Sequence, residues 1–379
     1  MWDSPERRYG ASNMEHETFS SRADKFKYIS SQHGGYYRHG FIDHAYLYNL
    51  YFPPEALFSR LKDSIHDLVL NYPVAQHALA ELVGAIINQN AKRIVVGNGA
   101  AELIKIVSGQ VARKLIIPVP SFNEYANAAP IDSIVEFPLD FPSFHLDVDK
   151  FAAEAIRVGA DVAVVVTPNN PTSIAVPRAD LQRLARKLEP QGCILIIDES
   201  FLDFIEDSDE WSLEGALDNH ANVAIFKSMS KAYGICGLRI GYMVTANDDF
   251  AEAVRKGVHI WNLNGFAEEF LRILPEYYQE FKASCSRVRE DRDNMYKMLG
   301  TIPGMTVHKP DANFIFCRLP ENAANGPDIA RRLFIDHNIL VKDSVGKTQP
   351  DGDRYLRIAC RTEPENRELF RALSEVLNE

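Results

Sequence analysis

The sequence predicts an α/β fold with a mostly parallel central sheet in a large domain, followed by a smaller α+β domain. Between about residues 93 and 245, short apolar runs alternate with amphipathic segments, which is typical of parallel strands covered by helices on both faces. The run VAVVV at 162–166 is entirely apolar, as a strand buried on both faces should be. After Trp261 the pattern changes to a long charged helix at 275–299 and then to short strands mixed with helices. We therefore expect three parts: 1–50 (an N-terminal arm and part of the small domain), 51–262 (the large domain) and 263–379 (the small domain).

The composition is that of an ordinary globular protein and argues against several classes of function. The 379 residues, 46% hydrophobic and 25% charged, provide enough apolar surface for a large core. A net charge of -11 argues against nucleic-acid binding through bulk electrostatics. The five cysteines are scattered, odd in number and without a CxxC pair, which indicates reduced thiols and a cytoplasmic location. The sequence has no apolar leader at its start and no apolar run of about 20 residues, so we expect neither export nor a membrane span.

The first 31 residues are polar with scattered aromatics, and two interpretations stay open: an arm that packs on a partner subunit, or a loose tail. His33 follows, in a stretch that also holds His39 and His44. Because no second cluster of cysteines or carboxylates stands at ligand spacing, we predict no metal site. Two glycines directly after His33 instead suit a close approach of the backbone to a ligand.

A glycine turn links the first strand of the sheet, at 93–96, to a helix over 103–111. The turn has the sequence GNGAAE, and a glycine turn at a helix N-terminus is a natural anion site. No third glycine stands in register and no GK[ST] follows, so the turn is a poor candidate for a nucleotide. An earlier helix is expected from about Glu55, after the turn at 49–54, and another over 75–88.

Chemistry-bearing residues follow the next strands of the predicted sheet. The strand at 114–117 leads into Phe122 and Tyr125, at the strand's carboxyl end, where ligands bind in open α/β sheets; ordinary core is the alternative. The strand at 162–166 stops at PNNPT, a rigid turn that presents an amide. The strand at 193–197 ends in Asp198, whose burial is costly unless it meets a cation. A protonated pyridine nitrogen would serve; a helix cap or a salt bridge is the alternative.

The stretch SMSKAYGICGLRIGY (228–242) is the most informative in the chain. Burial lowers the pKa of a lysine, and such a lysine can bind the aldehyde of a cofactor covalently. Hydroxyls and a guanidinium suit a phosphate. Lys231 for an aldehyde, with Ser228, Ser230 and Arg239 for a phosphate, indicates a site for pyridoxal phosphate (PLP). The alternative is a glycine-rich surface loop with a solvated lysine.

The second unit contains short strands and two helices after the long one. Strands are expected at 305–308, 313–318, 339–341 and 355–359, and helices at 327–337 and 366–378. This mixture is typical of a small α+β domain.

Taken together, the motifs resemble a known family over the chain from about His33 to its C-terminus. The family is the PLP-dependent class I/II aminotransferases of fold type I, and within it the chain is most similar to histidinol-phosphate aminotransferase and threonine-phosphate decarboxylase. The opening around His33, DESFLDFI and IWNLNGFA favour the decarboxylase, whereas SKAYGICGLRIGY favours the aminotransferase. The motifs that carry the resemblance are GNGAAE, PSFNEY, PNNPT, DESF, SMSKAYGICGLRIGY, ANFIF and YLRIACR.

The resemblance implies a PLP site in which each group of the cofactor has a partner. Lys231 would bind the cofactor aldehyde and move protons at the substrate α-carbon, and Asp198 would pair with the pyridine nitrogen. Asn170 would bond the ring hydroxyl oxygen and Phe122 would stack on the ring, with Tyr125 nearby. The groups at the cofactor phosphate would be Ala100, Ala101, Ser228, Ser230, Arg239 and Tyr72, the last from the partner subunit. The resemblance therefore implies a homodimer with its active site at the subunit interface.

The resemblance also implies a substrate that is an amino acid, with Arg357 at its α-carboxylate. Lys342 stands where relatives place an arginine for a substrate phosphate, and it keeps the charge without the bidentate fork. The candidate contacts to such a phosphate are His33, Asn49 and Lys342. Two further departures are Phe201, where relatives often carry a tyrosine, and Ser173, where they carry a glycine.

We compare three functions that use a PLP-binding fold. We expect an aminotransferase that uses a donor such as glutamate and a small, phosphorylated partner substrate. The alternative is an α-decarboxylase of a phosphoamino acid on the same cofactor. A PLP-binding regulatory sensor without catalysis is the third, and the presence of Lys231, Asp198 and Arg239 together argues against it.

Overall fold

The computed structural model describes residues 19–378. Its first elements are helix α1 and a two-residue strand, followed by three helices before the large sheet. Ser21 caps α1 by accepting a hydrogen bond from the backbone N–H of Asp24. The bounds are α1 (Arg22–Ser31), β1 (Ile42–Asp43), α2 (Glu55–Asp63), α3 (Ile65–Leu70) and α4 (Gln76–Ile87).

Seven strands form the central sheet, in the order β2-β8-β7-β6-β5-β3-β4. Strand β8 is antiparallel to both neighbours and the other pairs are parallel, which confirms the mostly parallel sheet. The strands are β2 (Ile94–Asn98), β3 (Leu115–Val119), β4 (Ile134–Pro138), β5 (Val162–Val166), β6 (Ile194–Asp198), β7 (Val223–Ser228) and β8 (Ile240–Thr245). The helices between them are α5 (Gly99–Ile106), α6 (Glu124–Ala128), α7 (Val148–Val158), α8 (Arg178–Leu188), α9 (Ser208–Trp211) and α10 (Met229–Ala232).

Strand β5 shows why the sheet needs cover on both faces. Ala163 and Val165 join one hydrophobic cluster, whereas Val162, Val164 and Val166 join another. Successive side chains of a strand point to opposite faces, so an entirely apolar strand buries both. The sheet is therefore the middle layer, covered on both faces. The candidate site lies at the ends of its strands.

The C-terminal half adds long helices and a small antiparallel sheet of order β12-β13-β10-β9. Strand β1, near the start of the chain, pairs in parallel with β11, with Ile42 opposite Ile339. This pairing supports the expected association of the first 50 residues with the small domain, whose bounds stay a prediction. The elements are α11 (Asp248–Gly257), α12 (Gly265–Ile273), α13 (Tyr278–Leu299), β9 (Thr306–Val307), β10 (Phe314–Arg318), α14 (Gly326–His337), β11 (Ile339–Leu340), β12 (Lys342–Asp343), β13 (Tyr355–Ala359) and α15 (Glu363–Asn378).

Element bounds differ from the sequence expectations in a few places. The helix expected from 275 begins at Tyr278, because Leu274–Tyr277 forms a 3₁₀ turn containing Pro275. The helix expected over 103–111 begins at Gly99 and ends in a π-helical turn over Val107–Val111. The strand expected at 339–341 is two short strands, and strand β4 and helix α7 carried no sequence prediction.

Candidate active site

The candidate site lies where four adjacent parallel strands end. Strands β3, β5, β6 and β7 are neighbours in the sheet, so their carboxyl ends meet at one edge. The segments that leave these ends carry Phe122, Asn170, Asp198 and Lys231. The sequence prediction that these residues converge therefore follows from the strand order.

Asp198 is a buried carboxylate with two hydrogen-bond donors. The Tyr125 hydroxyl donates to its Oδ2 at 3.0 Å, and the backbone N–H of Ser200 donates to its Oδ1 at 3.1 Å. Burial raises the pKa of Asp198, although the two donors and the positive charge of Lys231 partly offset this effect. A buried carboxylate of this kind is stabilised when a cation binds to it. Asp198 is therefore suited to pair with a protonated ring nitrogen.

Lys231 lies in the short helix α10, which directly follows β7 at the same edge. Its Nζ is 6.0 Å from the centroid of the Phe201 ring, and its backbone carbonyl accepts a hydrogen bond from the Asn49 N–H at 2.9 Å. Burial lowers the pKa of the Lys231 ammonium, and the positive charges of Arg357 and Arg239 lower it further. A lysine with a lowered pKa has a larger neutral fraction, and the neutral amine is the form that attacks an aldehyde.

An anion cradle forms where the turn before α5 packs against Arg239. The Gly99 N–H donates to the Arg239 carbonyl at 2.8 Å, and Arg239 Nη1 donates to the Ser230 hydroxyl at 3.3 Å. Gly99 has φ +68°, and a Cβ there would lie 2.3 Å from Arg239 Nη2. The first turn of α5 places the backbone N–H groups of Ala100 and Ala101 at a helix N-terminus. Guanidinium, hydroxyl and helix N-terminus together fit a phosphate.

Ser228 is the last residue of β7. Its backbone N–H donates to the Ser200 hydroxyl at 2.9 Å, which ties the turn after β6 to the turn after β7. Ser228 and Ser230 are thereby held on the same short segment as Lys231.

Arg357, on β13, reaches the sheet edge from the small domain. Its Nη1 donates to Asn170 Oδ1 at 2.9 Å and its Nη2 donates to the Ala45 carbonyl at 2.7 Å. Burial lowers the pKa of Arg357 to about 10, so the guanidinium keeps its charge at neutral pH. The arrangement joins the large domain, the N-terminal segment and the small domain around one cation.

These residues fit PLP. Asp198 is a buried carboxylate suited to a ring nitrogen, Lys231 is an amine of lowered pKa, and the cradle at Gly99 leaves no room for a Cβ yet presents donors to an anion. Phe122, partly buried, lies at the start of the segment that leads to Tyr125. The residues could thus hold the ring, the aldehyde and the phosphate of the cofactor at the positions expected from the sequence.

The residues predicted to contact the substrate differ in their exposure and in their hydrogen bonds. Lys342 is exposed and stands directly opposite Arg357 in the β12–β13 pair, so both side chains lie on one face of that sheet. Asn49 is buried, and its amide is occupied: Nδ2 donates to the Ala232 carbonyl and the Ser284 hydroxyl, and Oδ1 accepts from the backbone N–H of Tyr51. These bonds favour a structural role for Asn49 beside Lys231. Its role as a phosphate contact stays a prediction.

His33 and Tyr72 are both exposed side chains in the described part of the chain. His33 is exposed on the turn before a 3₁₀ helix. Tyr72 is 78% exposed and stacks on Trp261, with ring centroids 4.2 Å apart. The expectation that Tyr72 serves a partner subunit stays a prediction.

Two departures from the family pattern have structural explanations. Ser173 adopts φ +63°, a conformation that favours glycine, and its hydroxyl accepts a hydrogen bond from the Ala312 N–H at 3.0 Å. Phe201 is buried and packs edge-on against Phe314, with centroids 5.1 Å apart.

Sequence reasoning missed Lys347. This residue lies in the loop between β12 and β13, and its Nζ donates to the Ser121 carbonyl at 2.5 Å and to Asn123 Oδ1 at 2.7 Å. The loop has no periodicity and no motif, so nothing local indicates that it reaches the other domain. The available signal was a second lysine shortly after the candidate Lys342 in sequence.

Within residues 19–378, no helix is long and apolar enough to cross a bilayer. In the same part of the chain, no group of three or more histidine, cysteine and acidic side chains is placed to bind a metal ion.

Comparison with known proteins gives a consistent family. Residues 68–373 match the family described as aminotransferase class I and II. A protein of Streptomyces rubellomurinus named CMP-5'-(3-aminopropyl)phosphonate synthase is 41% identical over 359 residues, which are 95% of this chain and 56% of that protein. The L-serine phosphate decarboxylase of Campylobacter jejuni is 27% identical over 353 residues, 89% of each chain. The threonine-phosphate decarboxylase of Salmonella typhimurium is 28% identical over 319 residues, 82% of this chain and 84% of that protein.

Two solved structures extend the comparison. The histidinol-phosphate aminotransferase of Clostridium acetobutylicum superposes with a TM-score of 0.81 at 25% identity and covers 89% of this chain and 99% of that chain. A decarboxylase from Sulfurospirillum multivorans superposes with a TM-score of 0.80 at 26% identity and covers 93% of this chain and 98% of that chain. The chain spans 56% of the Streptomyces relative and 60% of another relative, from Sinorhizobium fredii.

Proposed function

Because the chain belongs to the aminotransferase class I and II family, whose cofactor is PLP, we propose that it removes the α-carboxylate of an amino acid bearing a phosphate or phosphonate. The motifs pointed to this family, and the match over residues 68–373 confirms it. The carrying observation is the register that sets Lys342 directly opposite Arg357, so that two cations lie on one face of the small sheet. Two cations suit a substrate with two anionic groups.

The names of the relatives support decarboxylation over the aminotransfer that the sequence favoured. Two are decarboxylases of phosphoamino acids. The third is named for a 3-aminopropyl phosphonate, a primary amine of the kind that remains when an α-amino acid loses its carboxylate. The corresponding amino acid is 2-amino-4-phosphonobutyrate, which carries both a carboxylate and a phosphonate. This chain spans only part of the Streptomyces protein, so the whole activity of that protein is not transferred to it.

Each side chain of the candidate site has its own role in the proposed reaction. PLP, when bound, withdraws electrons from the substrate α-carbon. Asp198 keeps a proton on the ring nitrogen, and Tyr125 fixes the orientation of Asp198 through its 3.0 Å hydrogen bond. Arg357 binds an anionic group of the substrate and Lys342 binds the other. As the bond between the α-carbon and the carboxylate breaks and carbon dioxide leaves, Lys231 donates a proton to the α-carbon, which yields a primary amine.

Aminotransfer remains the second candidate, because a histidinol-phosphate aminotransferase superposes as well as a decarboxylase does, with TM-scores of 0.81 and 0.80. The same residues would then bind the substrate, and Lys231 would move a proton at the α-carbon with the carboxylate retained. The two reactions differ in which bond at the α-carbon breaks, and this difference is measurable.

Product mass separates the two reactions. The holoenzyme is incubated with O-phospho-L-serine, O-phospho-L-threonine and 2-amino-4-phosphonobutyrate, with and without 2-oxoglutarate. The last substrate is supplied both free and with its phosphonate joined to CMP as an anhydride. The proposal is supported by a product amine whose mass is that of the substrate less carbon dioxide. This amine should form without 2-oxoglutarate and, in D₂O, should carry one deuterium at the former α-carbon. A keto acid formed only with 2-oxoglutarate supports aminotransfer, and no product from any of them contradicts both.

A further inference from the structure

Lys347 links the small domain to the segment that carries Phe122. Its ammonium donates to the Ser121 carbonyl at 2.5 Å and to Asn123 Oδ1 at 2.7 Å, so the two acceptors flank Phe122 in sequence. An ammonium has three N–H donors, and these two contacts use two of them. One donor is left for another acceptor.

The surroundings of Lys347 are cationic. Arg357 on β13 and Lys342 on β12 lie close enough for their charges to disfavour the ammonium, and burial disfavours it more; Glu124, at the start of α6, has the opposite influence. Together these effects lower the pKa of Lys347 to about 7. Three cations gathered in one place are stabilised when anions bind among them. If one anionic group of the substrate occupies Arg357, Lys342 and Lys347 remain for the other.

We propose that Lys347 is a further substrate ligand that determines specificity for a second anionic group. Two of its N–H donors hold the segment around Phe122, and the third donates to an oxygen of the substrate phosphate or phosphonate beside Lys342. This inference rests on the proposed function for the identity of the substrate class. Lys347, on a loop without a motif, would then couple recognition of this anion to the position of the segment that carries Phe122.

A ligand that cannot react tests the proposal by binding alone. The probe 4-phosphonobutyrate carries a carboxylate and a phosphonate but no amino group, and butyrate carries only the carboxylate. Calorimetry of the holoenzyme should show that Lys347→Met weakens 4-phosphonobutyrate roughly 10- to 100-fold, the size of one lost hydrogen bond to a charged group. Butyrate binding should stay within about threefold, and Lys347→Arg should restore part of the loss. Lys256→Met, at an exposed lysine of α11, is the matched control.

The variant Asn123→Ala tests whether Lys347 binds the anion directly or acts only by holding the segment around Phe122. This variant removes one acceptor of Lys347 but keeps its ammonium, so phosphonate binding should stay within about threefold of wild type. Equal weakening of both probes in Lys347→Met, or no weakening, overturns the proposal, and a loss in Asn123→Ala as large as in Lys347→Met also overturns it. If Lys347→Met does not fold, Lys347→Gln takes its place, with the same selective loss of 4-phosphonobutyrate binding expected.

The result is independent of the reaction. If Lys347→Met selectively loses phosphonate binding and the wild-type enzyme shows no decarboxylation, Lys347 is an anion ligand and the proposed reaction is wrong. Decarboxylation with unchanged phosphonate binding would keep the reaction and remove Lys347.

Discussion

The Tyr125 hydroxyl donates a 3.0 Å hydrogen bond to Asp198, and both side chains are buried at the carboxyl edge of the sheet. Tyr125 comes from the segment after β3 and Asp198 from the end of β6, and β5 lies between these strands. The bond therefore joins two segments that leave the same edge of the sheet from strands on either side of β5. It favours the ionised carboxylate, which is the form that can pair with a protonated ring nitrogen.

Tyr125→Phe should weaken PLP binding by about 3- to 10-fold, because Asp198 loses a donor that favours its charged form. The dissociation constant for PLP is measured by fluorescence titration of the apoenzyme. The matched control is Tyr242→Phe, which also removes a buried hydroxyl-to-carboxylate bond, to Glu214 at 2.9 Å. Both variants should lose roughly 1–3 kcal/mol of unfolding free energy, and only Tyr125→Phe should lose cofactor affinity. Equal affinities for PLP in the two variants would contradict the role given to Tyr125.

Lys231→Ala should abolish turnover, by at least about 10³-fold, because no amine remains to bind the aldehyde or to protonate the α-carbon. The variant should also lose the yellow absorbance of covalently bound cofactor and release PLP on dialysis. Lys256→Ala, an exposed lysine of α11, serves as the control and should keep both. A Lys231→Ala protein with full activity would remove the cofactor assignment.

Gly99→Ala should weaken PLP binding by more than about 10-fold, because the new Cβ would lie 2.3 Å from Arg239 Nη2 and displace the guanidinium from the cradle. Gly159→Ala is a close control. Gly159 has φ +66°, against +68° for Gly99, and nothing lies within 4 Å of the position that a Cβ would take there. Both alanines carry a backbone cost of roughly 1–2 kcal/mol in unfolding free energy. Unfolding in denaturant should therefore show similar losses, whereas equilibrium dialysis should show a PLP defect only for Gly99→Ala.

Sequence reasoning singled out candidate residues where one short segment carries the residue types that a role requires, and the roles themselves stay predictions. Lys231 lies on a single glycine-rich stretch with Ser230 and Arg239, and Asp198 ends an apolar strand, so local pattern was enough. The strand order then brought these segments together, because neighbouring parallel strands share a carboxyl edge.

The residues that sequence reasoning could not place depend on contacts between distant segments. Lys347 reaches Ser121 across 226 residues of sequence, and no periodicity marks its loop. Asn49 was expected at a substrate phosphate from the family resemblance, and no local pattern indicates that folding places its amide against Ala232 and Ser284. The prediction for Tyr72 concerns a second chain, which the pattern of one chain does not describe.

Lys342→Ala should weaken phosphorylated or phosphonate substrates more than unphosphorylated ones. Lys342 stands opposite Arg357 on the same face of the small sheet, so its loss removes one of two adjacent cations. We expect KM for 2-amino-4-phosphonobutyrate to rise about 10-fold, with a change below about threefold for an amino acid without the phosphonate, such as norvaline. Lys256→Ala again controls for loss of a surface lysine. Equal losses for both substrates would exclude Lys342 from the anion site.

Binding of a permanently ionised anion should depend on pH through Lys347. The groups around it are Lys342 on β12, Arg357 on β13 and Glu124 on α6, and Lys347 has a pKa of about 7 in the free protein. Arg357, with a pKa of about 10, stays charged between pH 6 and about 8.5. A bound anion favours the charged ammonium and raises the pKa of Lys347, so binding takes up a proton above pH 7. Affinity should thus be highest below pH 7 and should fall as pH rises through that value.

The probe for this prediction is 4-sulfobutyrate, because a sulfonate does not titrate in this range while a phosphonate does. Calorimetry at pH 8 in two buffers of different ionisation enthalpy should show proton uptake by the wild-type holoenzyme, with a dissociation constant that rises by at most about 10-fold per pH unit. Lys347→Arg, whose guanidinium does not titrate, should bind with little pH dependence and no uptake. Uptake that persists in Lys347→Arg would assign the titration to another group, and a flat wild-type profile would show that the Lys347 ammonium does not bind the anion.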